Sequence, residues 1–202
     1  GIVLYSGSSG DPAAVINHSI IENCTFYDIE REAIKGQTHP DNVVRISNVT
    51  VVRCGNVENK PMMYFRNMTD VVVKNSIFAH STNADAGEEF VDMASDASLF
   101  HNNAWWDIVN SEVGNGTVSD TVNVNPQFAD AANGDFHLPI GSALLTFGDD
   151  GGLIGDPRWE PEQVIHQIAA GTDVLGPAIT AAAPGDIIEL VTNGGVYLNS
   201  SQ

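Results

Sequence analysis

Four segments of the sequence share one pattern at a nearly fixed spacing, and that repeat limits the fold more than any other feature. They are "SIIENCTFYDI" around Asn23, "VVRISNVTVVRC" around Asn48, "DVVVKNSIFAH" around Asn75 and "ASLFHNNAWWDI" around Asn102, with the asparagines 25, 27 and 27 residues apart. Two residues before each asparagine stand Ile21, Ile46, Val73 and Phe100, and three residues after stand Phe26, Val51, Phe78 and Trp105. One residue before come Glu22, Ser47, Lys74 and His101, all polar. Side chains alternate between the faces of a strand, so the apolar columns predict a buried face and the polar column an outer one. The parity changes across the asparagine. Asn tolerates left-handed backbone better than any residue but Gly, so each asparagine is expected to turn the chain at a corner between two short strands.

A unit of about 26 residues at roughly 3.3 Å each spans at most about 85 Å, enough for one circuit of three short strands and their corners. Stacked circuits would carry a ladder of Asn23, Asn48, Asn75 and Asn102, each amide bonding the neighbours above and below. The expected fold is all-β, a parallel β-helix in which each rung contacts only the next.

Residues 1–112 carry the rungs, with polar insertions such as "KGQTHPDN" and "STNADAGEE" read as loops. Residues 113–159 are dense in Pro and Gly, with Phe128, Phe136, Phe147 and Trp159 scattered among them, and predict an irregular closing segment over the stack. From residue 160 the pattern changes. "EPEQVIHQIAAG" places Val164, Ile165 and Ile168 at helical spacing before Gly171, predicting a short amphipathic helix. Strands are expected over residues 187–191 and 196–198, either side of a Gly-Gly turn.

With 26 acidic residues against 8 basic ones the net charge is −18, which argues against nucleic acid or an anionic membrane surface as partner. No stretch approaches the roughly 20 apolar residues that a membrane-inserted helix needs. The start, "GIVLYSGSSGDP", lacks the basic region of a signal peptide, so a secreted chain would have lost its targeting segment or be a piece of something longer. Cys24 and Cys54 fall about 16 Å apart along the strand direction against the roughly 7 Å a disulfide permits, and are expected to be free, buried thiols. His18, His39, His80, His101, His137 and His166 show no metal spacing and read as structural or exposed. "FGDDGG" offers Asp149 and Asp150 as calcium ligands without the spaced carboxylates of a strong site. The sequons at Asn17, Asn23, Asn48, Asn67, Asn115 and Asn199 are explained by Asn- and Thr-rich rungs without glycosylation.

The rungs, together with "NPQFADAANGDFHL" and "GLIGDPRW", resemble the C-terminal half of secreted bacterial β-helix proteins related to the chondroitinase B and alginate lyase family of polysaccharide lyases. That resemblance implies a right-handed, pectin-lyase-like solenoid at an extracellular or cell-surface location. The tail "AITAAAPGDIIELVTNGGVY" resembles the capping helix and first rung with which such proteins start, here displaced to the end. Displacement implies that Ile187, Leu190, Val196 and Tyr197 complete a rung against another copy of the chain, end to end. A head-to-tail contact that does not close builds a fibre or a tandem array.

In the lyases of this family a Lys and an Arg on neighbouring rungs act as base and acid, beside a calcium ion that neutralises the substrate carboxylate. Carried onto this sequence, the resemblance makes Lys35 the base, Arg66 the acid, and Glu30 and Glu32 the calcium ligands. The simpler reading is an exposed ladder of Lys35, Arg66 and Asp92, stacked opposite charges each contributing under about 1 kcal/mol. Two functions therefore stand open: a non-catalytic structural module without a cofactor, partnered by copies of itself, and a calcium-dependent polysaccharide lyase or carbohydrate-binding relative.

Overall fold

A computed structural model describes residues 1–5, 18–37, 41–56, 60–81, 89–161, 165–172, 174–182, 186–191 and 197–198. The chain forms two compact units, Gly1–Leu138 with Ser142–Glu160 and Pro139–Gly141 with Pro161–Gln202.

Unit 1 is built from strands. In chain order they are β1 (Ile2–Tyr5), β2 (His18–Tyr27), β3 (Ile34–Gln37), β4 (Val43–Val52), β5 (Met63–Arg66) and β6 (Asp70–Lys74). There follow β7 (Ile77–Ser81), β8 (Val91–Met93), β9 (Leu99–His101), β10 (Ala104–Ile108), β11 (Thr117–Ser119) and β12 (Val122–Asn123). One sheet has the order β1-β3-β5-β8. The larger sheet, curled into a half-barrel, runs β11-β9-β6-β4-β7-β10-β12, with β2 also paired to β4. All the named strand pairs are parallel, and each strand lies beside its counterpart one repeat later.

The columns read from the sequence are the register of the larger sheet. Ile21, Ile46, Val73 and Phe100 are successive partners, as are Phe26, Val51, Phe78 and Trp105. All but the half-buried Trp105 are buried, and Phe78, Phe90 and Phe100 pack edge to face or tilted with centroids 5.4–5.7 Å apart. Met62, Met63, Phe65, Val91 and Met93 of the smaller sheet and its approach complete this core.

Asn23, Asn48, Asn75 and Asn102 all take the left-handed conformation, with φ between 50° and 55°. Five residues after each stands a second left-handed corner, Asp28, Arg53, His80 and Asp107, with φ between 51° and 59°. These side chains pair along the stack: Arg53 donates to Asp28 through two nitrogens, and His80 Nδ1 lies 2.8 Å from Asp107.

The asparagine ladder differs from its expected form in one respect. Among the described residues the amides of Asn48, Asn75 and Asn102 bond the closing segment, not one another. Asn48 Nδ2 donates to the Leu153 carbonyl at 3.1 Å, Asn102 Nδ2 to the Phe147 carbonyl at 3.3 Å, and Asn75 Nδ2 to Asp149 Oδ1 at 2.7 Å while Asn75 Oδ1 accepts from the Asp149 amide. β11 and β12 carry the rungs on to Asn123, past the expected boundary at residue 112; beyond them the segment adds no strand to either sheet, and these asparagines supply some of the partners that its polar groups need.

The closing segment covers the outer face of the larger sheet. Leu138, Leu144 and Ile154 pack on Ile77 and Ala104, while Phe136 packs on Val52 and Ala79. It contains three short 3-10 turns, Ala131–Asn133, Ala143–Thr146 and Pro157–Trp159. Gly155, at φ +87°, passes so close that a Cβ would stand 2.8 Å from Ile77 and 2.9 Å from Thr50. A parallel sheet is stable when both faces are covered, and this segment supplies the second cover.

Unit 2 comprises β13 (Ile165–Ile168), β14 (Gly171–Thr172), α1 (Leu175–Ala181), β15 (Ile187–Leu190) and β16 (Tyr197–Leu198), with β13 parallel to β15 and β14 parallel to β16. The helix expected over "EPEQVIHQIAAG" is thus replaced by a strand at Ile165–Ile168, and the helix lies later in "LGPAITA". The short apolar run fits either period, and pairing with β15 decides it. Val164, Val196, His39, Asn17, Asn199 and parts of both polar insertions lie outside the described residues.

Both cysteines are free. Cys54 is buried, and burial pushes its thiol up to about 11. Cys24, expected to be buried too, is half-exposed on the edge strand β2, its thiol donating to the Glu22 carbonyl at 3.1 Å.

Candidate functional site

The smaller sheet carries the residues singled out for catalysis, in a different register from the one expected. Lys35 lies opposite Tyr64, and Tyr64 opposite Asp92; Arg66 lies opposite Gln37. The ladder of Lys35, Arg66 and Asp92 therefore does not form. The β3–β5 and β5–β8 steps on this sheet are 29 and 28 residues, against 25 and 27 for the β2–β4 and β4–β6 steps of the larger sheet, because the connecting loops take up the extra residues.

The outcome is a phenol ring with two cations close to it. Lys35 Nζ stands 5.2 Å and Arg66 Cζ 5.8 Å from the centroid of Tyr64, within the range of cation–π attraction. Arg66 is exposed, and Lys35 and Tyr64 are half-buried. Lys35 Nζ is also 3.6 Å from the carboxylate of Glu32, whose side chain is 6% exposed and which Arg31 approaches to 3.5 Å. Burial pushes the Glu32 carboxyl up, but its own backbone amide, Lys35 and Arg31 together outweigh this and hold it below the usual range. Two cations beside one ring can receive a carboxylate or sulfate by charge-assisted hydrogen bonds.

Calcium does not fit the pair proposed to hold it. Glu32 is already compensated by Lys35 and Arg31, Glu30 is exposed, and no three His, Cys, Asp or Glu side chains converge among the described residues. Asp149 of "FGDDGG" is likewise engaged. It accepts from Lys74 at 2.6 Å and from Asn75, and these bonds, Lys74 first, hold its carboxyl below the usual range. Asp150 Oδ1 accepts from the Gly152 amide. The histidines pair locally: His80 with Asp107, His137 with Asp135 at 2.6 Å, His166 with Asp186 at 2.7 Å and His101 with Asn102.

One cluster escaped the sequence reading. Asp156, buried in "GDPRW", accepts from Thr25 Oγ1 at 2.7 Å and from the Arg158 guanidinium, while its amide donates to Thr50 Oγ1 and Trp159 Nε1 donates to Thr25 Oγ1. Burial alone would raise this carboxyl; Arg158 and Thr25 outweigh it and hold it below the usual value of 3.8. Asp before Pro at the first position of a helical turn is a capping signal that could have revealed it. Its chemistry is that of a clasp, fixing the closing segment to β2 and β4.

The assembly residues lie in unit 2. β13 pairs with β15 and β14 with β16, so each described strand there has one neighbour. Ile165 is 56% exposed, Ile187 45% and Leu190 49%, on strands whose only large buried apolar side chain among the described residues is Ile168. Tyr197 is placed by its backbone in β16.

Comparison with known proteins gives a family and no named relative: no curated protein matches the chain. The family model described as "Domain of unknown function (DUF5123)" matches residues 19–159, from β2 through the clasp, and the chain belongs to that family.

Proposed function

We propose that this chain is an extracellular structural module, a right-handed parallel β-helix that stacks head to tail with further copies into a fibre or tandem array. The observation that carries this reading is the half-paired state of unit 2. Among the described residues β15 and β16 each hold one strand partner, and Ile187 and Leu190 are 45% and 49% exposed. Unpaired edges with exposed apolar side chains are what natural sheets cap, charge or pair. A further strand from another copy satisfies the edge by backbone hydrogen bonds and covers the apolar residues beside it. The tail's likeness to a first rung, placed last, supports the same reading. Negative-stain electron microscopy with a mass measurement tests it: regular filaments of 21.5 kDa repeats are expected. Filaments that persist in an Ile187→Asp, Leu190→Asp double variant would sink it.

A second reading rests on the Lys35, Tyr64 and Arg66 constellation, a site for an acidic polysaccharide, either lyase or carbohydrate-binding relative. Two cations converging on one ring, in a chain with 8 basic residues against 26 acidic ones, support it. Ultraviolet absorbance of an unsaturated uronate product formed from alginate or chondroitin, and lost in Lys35→Ala, is the expected result for a lyase. Binding without turnover, weakened in Arg66→Ala, is expected for the carbohydrate-binding form. Neither turnover nor binding across several acidic glycans would overturn this reading.

A further inference from the structure

We infer that the surface receiving β15 and β16 is the β1/β2 end of unit 1 in a second copy of the chain, an inference that rests on the stacking reading above. In unit 1 the spatial order of strands follows chain order: β1, β3, β5 and β8 succeed one another across one sheet, and β2, β4 and β6 across the other. Each repeat is laid on the same side of the one before it. The stack therefore has two different ends, one to which a later repeat adds and one to which an earlier repeat adds.

Unit 2 obeys the same order. β15 lies beside β13 and β16 beside β14, at spacings of 22 and 26 residues, close to the 25 and 27 of the β2–β4 and β4–β6 steps. The free edges of β15 and β16 are of the kind to which a later repeat adds. A surface that continues them with the same polarity must be of the other kind, and among the described residues β1 and β2 supply it. Among the described residues β1 pairs only with β3, and β2 only with β4. β1 is four residues long, as β15 is.

Side-chain exposure marks the same strands. Val3 of β1 and Ile20 of β2 are 66% and 69% exposed, the highest values among the large apolar residues described. A strand laid beside β1 or β2 brings side chains of the same column within contact of them. The side chains on both halves of the joint are exposed, Ile187 and Leu190 at 45% and 49% and Val3 and Ile20 at 66% and 69%, and the stacking reading makes the occupant a second copy. A donor edge and a different acceptor edge make the contact heterologous, which extends without closing.

Sedimentation velocity on three variants, with circular dichroism as the fold control, tests the inference. The donor variant is Ile187→Asp with Leu190→Asp, and the acceptor variant Val3→Asp with Ile20→Asp. Val118→Asp, on the exposed strand β11, is the control at the other end. Where wild type forms long assemblies, donor and acceptor variants are each expected to remain monomeric. An equimolar mixture of the two should give a heterodimer and nothing longer, since one intact donor and one intact acceptor remain. Val118→Asp should assemble as wild type does. Should circular dichroism show either Asp variant misfolded, Ser replaces Asp at the same positions, and a loss of assembly at least as large as half is expected.

An acceptor variant that assembles as fully as wild type overturns the inference and leaves the stacking reading standing. Wild type that stops at a symmetric dimer also overturns it, because the contact would then join unit 2 to unit 2. A wild type that is monomeric at every concentration overturns the stacking reading itself.

Discussion

Units 1 and 2 use one local device, a strand paired in parallel with its counterpart a repeat later, yet they treat their apolar side chains differently. In unit 1 the paired Ile34, Met63 and Val91 are all fully buried. In unit 2 the paired Ile165 and Ile187 are 56% and 45% exposed. The difference is one of neighbours. Unit 1 has several strands per sheet, an opposing sheet and a closing segment on the outer face; among the described residues each unit 2 sheet has two strands. Parallel ladders are stable when covered on both faces, and a repeat in a stack buries its apolar face only against the next repeat. Under the stacking proposal a two-strand ladder is the beginning of a stack that another copy continues.

The largest expected effect lies where unit 1 is most closed. Phe78→Ala removes a fully buried ring touching Phe90 and Phe100, and should cost unit 1 about 3 to 5 kcal/mol in denaturant unfolding. A loss below about 1 kcal/mol would break the contrast, since the interior would then be no better packed than unit 2.

Next comes the clasp. Asp156→Ala leaves Thr25 and Arg158 without their common partner, while the backbone bond to Thr50 is kept, and should cost about 2 to 3 kcal/mol. The same group gives unit 1 a pH dependence. Its folded pKa lies below the unfolded 3.8, so its contribution is fully present above that value and fades as pH falls through the folded one. Acid unfolding of wild type below pH 3.8 should therefore flatten in the Ala variant. Unchanged acid sensitivity would show that other carboxylates carry it.

Smaller still is the corner. Asn75→Gly keeps the left-handed backbone and loses the two bonds to Asp149, for about 1 to 2 kcal/mol. Asn75→Ala adds the strain of a Cβ at φ 50° and should lose about 1 kcal/mol more. Equal losses would mean that the asparagine serves through its amide alone. In unit 2, Ile187→Asp changes an exposed side chain and should move the stability of an isolated chain by less than about 0.5 kcal/mol. The stacking proposal predicts that its main effect falls on assembly. Because each copy carries a net charge of −18, added salt should strengthen assembly rather than weaken it.

The sequence made legible what recurs in one chemical type. Asn23, Asn48, Asn75 and Asn102 announce a corner because few residues tolerate that backbone and the same one returns each time. The second corner has the same period but uses Asp28, Arg53, His80 and Asp107, four positions holding three residue types, and only the spacing could have exposed it. Partners far along the chain were not legible. Asn75 meets Asp149 and Thr25 meets Asp156, and no local pattern predicts which loop will lie on which strand. The register of Lys35 and Arg66 was missed because one sheet repeats at 29 and 28 residues while the other repeats at 25 and 27. A repeat measured on one sheet misplaces side chains on its neighbour when the loops differ in length. The strand at Ile165–Ile168 was read as a helix because four residues carry too little period to decide.

The stacking of unit 2 on another copy is the central claim, and amide hydrogen exchange measured across a range of protein concentrations tests it most directly. The β4 and β5 amides of unit 1 should be protected to the same degree throughout. Those of Ile187–Leu190 should exchange quickly in dilute protein and become protected as copies assemble. Exchange at Ile187–Leu190 that is the same at every concentration, in samples shown to be assembled, would contradict the account.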